Sequence, residues 1–203
     1  MPTRPNLRAI KAYAEEKMHP KKSKTHKATW KHFERVVAKD FDTHRTPLSG
    51  MVKTITNSDT LHPLIYVECK LRSDDFNFWE GFDKTVKKIS GKYSFIRIEK
   101  SKTGNFVDLF FAEDFLKMLK AEEFAENLIS CVKIDKVHTS VVTLFEQTEE
   151  RAEIEGKIPV VALKKKNKKG YLLGTHPKHL VELHKILNHG KNTGKGNRGN
   201  NFR

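Results

Sequence analysis

The residues best suited to chemistry are Asp59 and, nine positions later, the run Glu68-Cys69-Lys70. Side chains two apart on a strand point to one face. Glu68 and Lys70 therefore project together, while Val67, Cys69 and Leu71 face the other way. On the apolar segment LIYVECKL, an acid and an amine are costly to bury unless they are paired or bind something. Asp59 follows Asn57 and Ser58, a turn-rich stretch from which an antiparallel neighbour could deliver it beside Glu68. Two carboxylates at one point repel, and a divalent cation relieves the repulsion. Hard oxygen ligands suit Mg2+ or Mn2+, not zinc. Such an ion lowers the pKa of bound water and polarises a phosphoryl oxygen, as phosphodiester hydrolysis requires. Lys70 could orient the water or stabilise the developing charge. The plainer alternative is a cross-face ion pair on an edge strand, since E-x-K is frequent by chance.

The elements that must position these residues follow from periodicity. Residues 28–40 read as a helix, with Trp30, Phe33 and Val37 on one stripe and Glu34 at its border. Extended segments are expected at 41–45 and 51–56, and the clearest strand at 64–71. A helix over 78–89 precedes a hairpin, 93–99 and 106–111 around KTGN, and a helix over 112–128. Residues 139–155 form a second strong helix with Val141, Leu144, Phe145, Thr148 and Ala152 inward, ended by Gly156. A strand at 158–163, a lysine-rich turn, a strand at 171–175 and a helix from Pro177 to Leu187 complete the chain. Strand, lysine-rich turn, strand and helix thus occur twice, a likeness of pattern and not of identity.

The stretch WKHFERVVAKDFDTHRTPLSGMVKTITNSDTLHPLIYVECKLR resembles PD-(D/E)xK nucleases of the archaeal Holliday-junction resolvase type and their phage-encoded relatives. A helix bearing Glu34, the run Arg45-x-Pro47-x-Ser49-Gly50, Asp59, and the strand with Glu68 and Lys70 come in the family's order. The likeness resumes at TLFEQTEERAEIEGKIPVVALKKKNKKGYLLG. It implies an α/β, restriction-endonuclease-like core, a mixed β-sheet flanked by helices, formed by residues 28–75 and 138–187. It implies catalytic roles for Glu34, Asp59, Glu68 and Lys70. Mg2+ or Mn2+ would be held by Glu34, Asp59, Glu68 and the Cys69 backbone carbonyl. Arg45 and Ser49 would hold phosphate, with Lys53, Arg72, Lys164, Lys165 and Lys166 extending the nucleic-acid surface. Residues 76–137 depart from the family pattern and read as an inserted α+β subdomain. The other possibility is that 78–111 belongs to the core and 138–187 is the addition. Gln147 reads as helix surface, and His62 as a turn residue or a DNA contact.

The formal net charge of +14 favours a polyanionic partner. Residues 76–137 hold eleven basic and ten acidic residues, so +13 of the +14 lies elsewhere. Part of it lies in a basic arm, 1–27, and in a Gly/Asn-rich basic tail, 188–203, whose composition cannot bury a core. Cys69 and Cys131 form no C-x-x-C pair, which argues against a zinc ribbon or a disulfide framework. No apolar run nears the roughly 20 residues that cross a bilayer. The expectation is a cytoplasmic protein, in the host's cytoplasm if phage-encoded, that acts as a homodimer on DNA without a membrane partner. Branched DNA is the leading substrate, and cleavage would leave 5′-phosphate ends, as is usual for this class. Competing readings are a restriction-, homing- or nicking-type endonuclease on duplex DNA, a non-catalytic nucleic-acid-binding module, and a protein adaptor using the aromatic-rich segment 76–137.

Overall fold

The computed structural model describes residues 26–47, 56–72, 93–122, 124, 129–134 and 139–192. Chain contacts divide the protein into Met1–His32 and Phe33–Arg203. The sheet and the candidate site lie within the second unit. In chain order the elements are α1 (His26–Asp40), β1 (Ile65–Arg72), β2 (Tyr93–Glu99), β3 (Phe106–Phe111), α2 (Ala112–Leu119), β4 (Ile129–Ile134), α3 (Thr139–Ile154), β5 (Ile158–Lys165), β6 (Leu172–Thr175), a 3-10 turn (Pro177–His179) and α4 (Leu180–Asn192). The fold is α/β, built on one mixed six-stranded sheet of order β1-β5-β6-β3-β2-β4. The outer pairs β1–β5 and β2–β4 are parallel and the inner pairs antiparallel.

Helix α3 carries the chain from β4 back to β5 and packs across one face. Its Val141, Val142 and Phe145 meet Ile96, Ile98, Val107, Leu109, Val161, Leu163 and Leu172 in one buried cluster. The other face takes the Phe33–Asp40 part of α1 and helix α2. Phe33 meets the Tyr171 ring edge-on at 5.4 Å, and Phe110 packs on Phe115. The Tyr171 hydroxyl donates to Asp40 Oδ2 at 2.5 Å. With helices on both faces, β5 is buried from Ile158 to Leu163, as its continuous apolar run demands. Gly174 on β6 lies where an added side chain would crowd its neighbours. A Cβ there would lie 2.5 Å from Leu109 Cδ2 and 2.8 Å from Val161 Cγ2.

The hairpin falls where alternation puts it, with Gly104 in the left-handed region that the KTGN turn needs. Other expectations are corrected. Residues 41–45 form turns and a single bridge, Arg45 to Thr60, because buried Phe41 ends α1 and Asp42 takes a positive φ of 53°. The helix expected over 112–128 stops at Leu119, and residues 129–134 form a strand that was not anticipated. The last helix is split: a 3-10 turn precedes α4, which continues past Leu187 to Asn192 and includes Gly190. The expected inserted subdomain 76–137 is not a separate layer. Its described part supplies β2, β3 and β4, half the strands of the one sheet, and Ile96, Ile98, Val107 and Leu109 share the core with α3 and β5. The segments expected at 51–56 and 78–89 fall, apart from Thr56, outside the described residues. Among the described residues, no helix is long and apolar enough to cross a membrane.

Candidate functional site

Strand β1 lies at the sheet edge, and the segment 56–60 runs along its open side. Ser58 substitutes for a strand neighbour. Its hydroxyl accepts from Val67 N at 2.9 Å and from Thr60 N at 3.3 Å, and donates to Val67 O at 3.2 Å. Asp59 N donates to Val67 O at 2.9 Å, and Cys69 N donates to Asp59 Oδ2 at 2.7 Å. From the outside, Thr46 N donates to Asp59 O at 3.0 Å and Leu61 N to His44 O at 2.8 Å. These bonds deliver Asp59 to the β1 edge, beside Glu68 and Lys70. Both polar backbone groups of a strand residue point to the same side, so the Cys69 carbonyl shares the edge that its N–H offers to Asp59.

A second clamp comes from the end of α3. Glu155 accepts from Thr56 Oγ1 at 2.5 Å and from Asn57 N at 2.8 Å, and pairs with Lys157 Nζ at 2.9 Å. Burial works against its charge, but these donors outweigh it and hold the carboxyl below its ordinary pKa. His62 caps the entry to β1: its Nδ1 accepts from Leu64 N and Ile65 N, the turn role expected of it.

Glu68 is 8% exposed. Its Oε1 accepts from Lys70 Nζ at 2.6 Å, and its Oε2 lies 3.5 Å from Arg151 Nη1 on α3. Glu34 is 2% exposed, and its Oε2 accepts from Arg45 Nη1 at 2.9 Å. Asp59 is pushed up to about 7, first by burial, then by the nearby charges of Glu68 and Glu34; the Cys69 N–H and Lys70 act in the opposite direction. Residues from α1, the 56–60 segment and β1 thus share one electric field. The same charges, after burial, push the Cys69 thiol upward on the opposite face of β1, which makes it a poor nucleophile.

As the side chains stand, no three His, Cys, Asp or Glu residues among the described ones are arranged to hold a metal ion. Glu34 is turned to Arg45, and Glu68 to Lys70 and Arg151. The donor chemistry nonetheless fits a hard dication: the charges of Glu68 and Glu34 reach Asp59, and Asp59 Oδ1 accepts no hydrogen bond among the described residues. Arg45, expected on phosphate, is held on Glu34. Lys164 lies on the face opposite Glu68, and its ammonium donates to Gly170 O at 2.8 Å and Lys168 O at 3.3 Å. Arg72 and Lys165 are register partners at the far end of β1, and Lys166 is exposed beyond them. Ser49 and Lys53 lie outside the described residues. Gln147 is exposed on α3, as expected. Arg151, one turn further on, was not anticipated. Its signal was its spacing, three residues after buried Thr148, at the border of the inward stripe. Ser58 and Glu155 gave no signal, because their roles depend on partners that are distant or specific to the fold. No family model matches this chain, and no curated protein or solved structure does.

Proposed function

We propose that this chain is a metal-dependent DNA endonuclease with a restriction-endonuclease-like core, and that Asp59 and Glu68, with Glu34 and the Cys69 carbonyl, hold Mg2+ or Mn2+. One observation carries the reading: burial, and after it the charges of Glu68 and Glu34, raise Asp59 to about 7 against the pull of the Cys69 N–H and Lys70. A half-buried carboxylate held against two others is the electrostatic situation that a dication relieves. The bound ion would polarise the phosphoryl oxygen and acidify a water. Lys70, steered by its 2.6 Å bond to Glu68, brings a hydrogen-bond donor to the same edge, where it can donate to the oxygen that gains charge. Ser58 and Glu155 keep Asp59 in place and so fix the orientation of the acidic group. Branched DNA remains the first substrate to try, on the resemblance at Arg45–Gly50 and Glu68–Lys70, with the protein acting as a homodimer.

The competing reading is a DNA-binding module that does not cut. It draws on the Arg45–Glu34 and Lys70–Glu68 ion pairs, which occupy two of the three carboxylates. The test incubates the full chain with end-labelled four-way-junction and linear duplex DNA in Mg2+, Mn2+ or EDTA. Metal-dependent cutting is expected, reduced by at least about 100-fold in Glu68→Gln and Lys70→Met. Absence of cutting by the wild type on every substrate, or full activity in Glu68→Gln, would falsify the enzyme reading.

A further inference from the structure

We propose that a bound DNA strand follows one line of cations, Arg151, Lys70, Arg72 and Lys165, which crosses the acidic site from α3 to the β5–β6 turn. This inference rests on the nuclease reading and adds the path that the substrate takes.

The line follows from register. In the β1–β5 pairing, Lys70 stands beside Leu163 and Arg72 beside Lys165. Neighbours in register project to one face of a sheet, and that face repeats every second residue. Glu68, Lys70, Arg72 and Lys165 therefore share the face on which α3 packs through Val161 and Leu163. Arg151 reaches that face from the helix, with its guanidinium 3.5 Å from Glu68 Oε2 and its side chain half exposed. From Glu68 to Arg72, four residues at about 3.3 Å each, the line extends roughly 13 Å along β1.

Two features give this line meaning. First, cations stand on both sides of Glu68: Arg151 also acts on Tyr66, two residues before it on β1, while Lys70, Arg72 and Lys165 lie beyond it. A strand held on both sides of the acidic group is presented by an internal phosphodiester and not by its terminus. Second, Lys164 is excluded although it neighbours Lys165 in sequence. It lies on the other face, bonded to Gly170 O and Lys168 O, with its ammonium 5.9 Å from the centre of the Phe33 ring. Burial also presses its amine towards the neutral form. Two adjacent lysines of one hairpin thus have separate jobs, one holding the turn and one facing the substrate.

The test measures binding of a fluorescein-labelled DNA duplex to the full chain in EDTA, as the slope of log Kd against log salt. Each phosphate contact contributes about 0.9 to that slope. Arg151→Gln and Lys165→Gln should each lower it by about that amount, Arg151→Lys should restore it, and Lys164→Gln should leave it unchanged while lowering the melting temperature. A slope that falls in Lys164→Gln but not in Arg151→Gln or Lys165→Gln overturns the path, as does a slope unmoved in all variants. Either result leaves Mg2+-dependent cutting, measured separately, to stand or fall by itself. If cutting fails while the slopes behave as stated, the path is upheld for a binding protein and the nuclease reading alone is lost.

Discussion

Two acids, buried Asp108 within the sheet and half-buried Asp59 at its edge, have cations nearby, and the two sites differ in completeness. On the inner hairpin, Asp108 and its register partner Arg97 form a bidentate pair, with both nitrogen-to-oxygen distances 2.8 Å. The guanidinium lies 4.0 Å from the Phe106 ring centre. Burial raises the Asp108 pKa, and its neighbours Arg97 and His176 pull it back. At the sheet edge, burial also raises Asp59, but the nearby Glu68 and Glu34 push it further. The first site closes on itself with opposite charge. The second gathers like charge: its cations, Lys70 and Arg151, pair with Glu68, while Asp59 accepts from the Cys69 backbone N–H. Burial raises both acids; what separates the two sites is the sign of the charges beside them.

The largest expected effect on stability breaks the closed pair. Arg97→Met leaves Asp108 buried without its partner, and urea unfolding should show a loss of about 3–5 kcal/mol. Lys70→Met should change the unfolding free energy by about 1 kcal/mol or less, because Arg151 still faces Glu68 and Lys70 is partly exposed. Equal losses in the two variants would erase the contrast.

The next effect sharpens it through pH. The folded pKa of Asp59 is raised from 3.8 to about 7, so the fold holds the proton more tightly than the unfolded chain does. Stability linked to this group is complete below pH 4 and is lost as pH rises to about 7. Asp59→Asn keeps an acceptor for Cys69 N and removes the charge. It should match the wild type in acid and exceed it by about 1–3 kcal/mol at pH 8, in urea titrations without divalent ions. A difference that does not change with pH would mean that the fold does not raise the Asp59 pKa. The smallest effect lies outside both sites: in Gly174→Ala the ends of the Leu109 and Val161 side chains must shift, and the loss should be about 1 kcal/mol. A thermal melt of that variant at the wild-type midpoint would contradict the close approach.

Local pattern made much of this legible. Alternation located β1 and the hairpin, and helical spacing located α1 and α3, because these signals reside in consecutive residues. Sheet order was not legible. Alternation says that Phe95 and Phe110 share a face, but not that β3 lies beside β6, so one half of the sheet was read as an insertion. Strand β4 was hidden because its apolar residues follow a helix that ends sooner than its composition suggests. In the site, the Glu68–Lys70 pairing followed from a spacing of two. The Arg45–Glu34 bond and the hold of Glu155 on Thr56 and Asn57 join residues 11 to 99 positions apart, for which spacing carries no information.

The partner of β1 is β5, made more than eighty residues later, and α3, which supplies Arg151 and Glu155, is threaded just before it. During synthesis, Asp59, Glu68 and Lys70 emerge early, yet they have no template until the ribosome has passed Lys165. The acidic group is therefore among the last parts of the protein to be assembled, and a prematurely terminated chain would carry its residues without the scaffold that makes them act together.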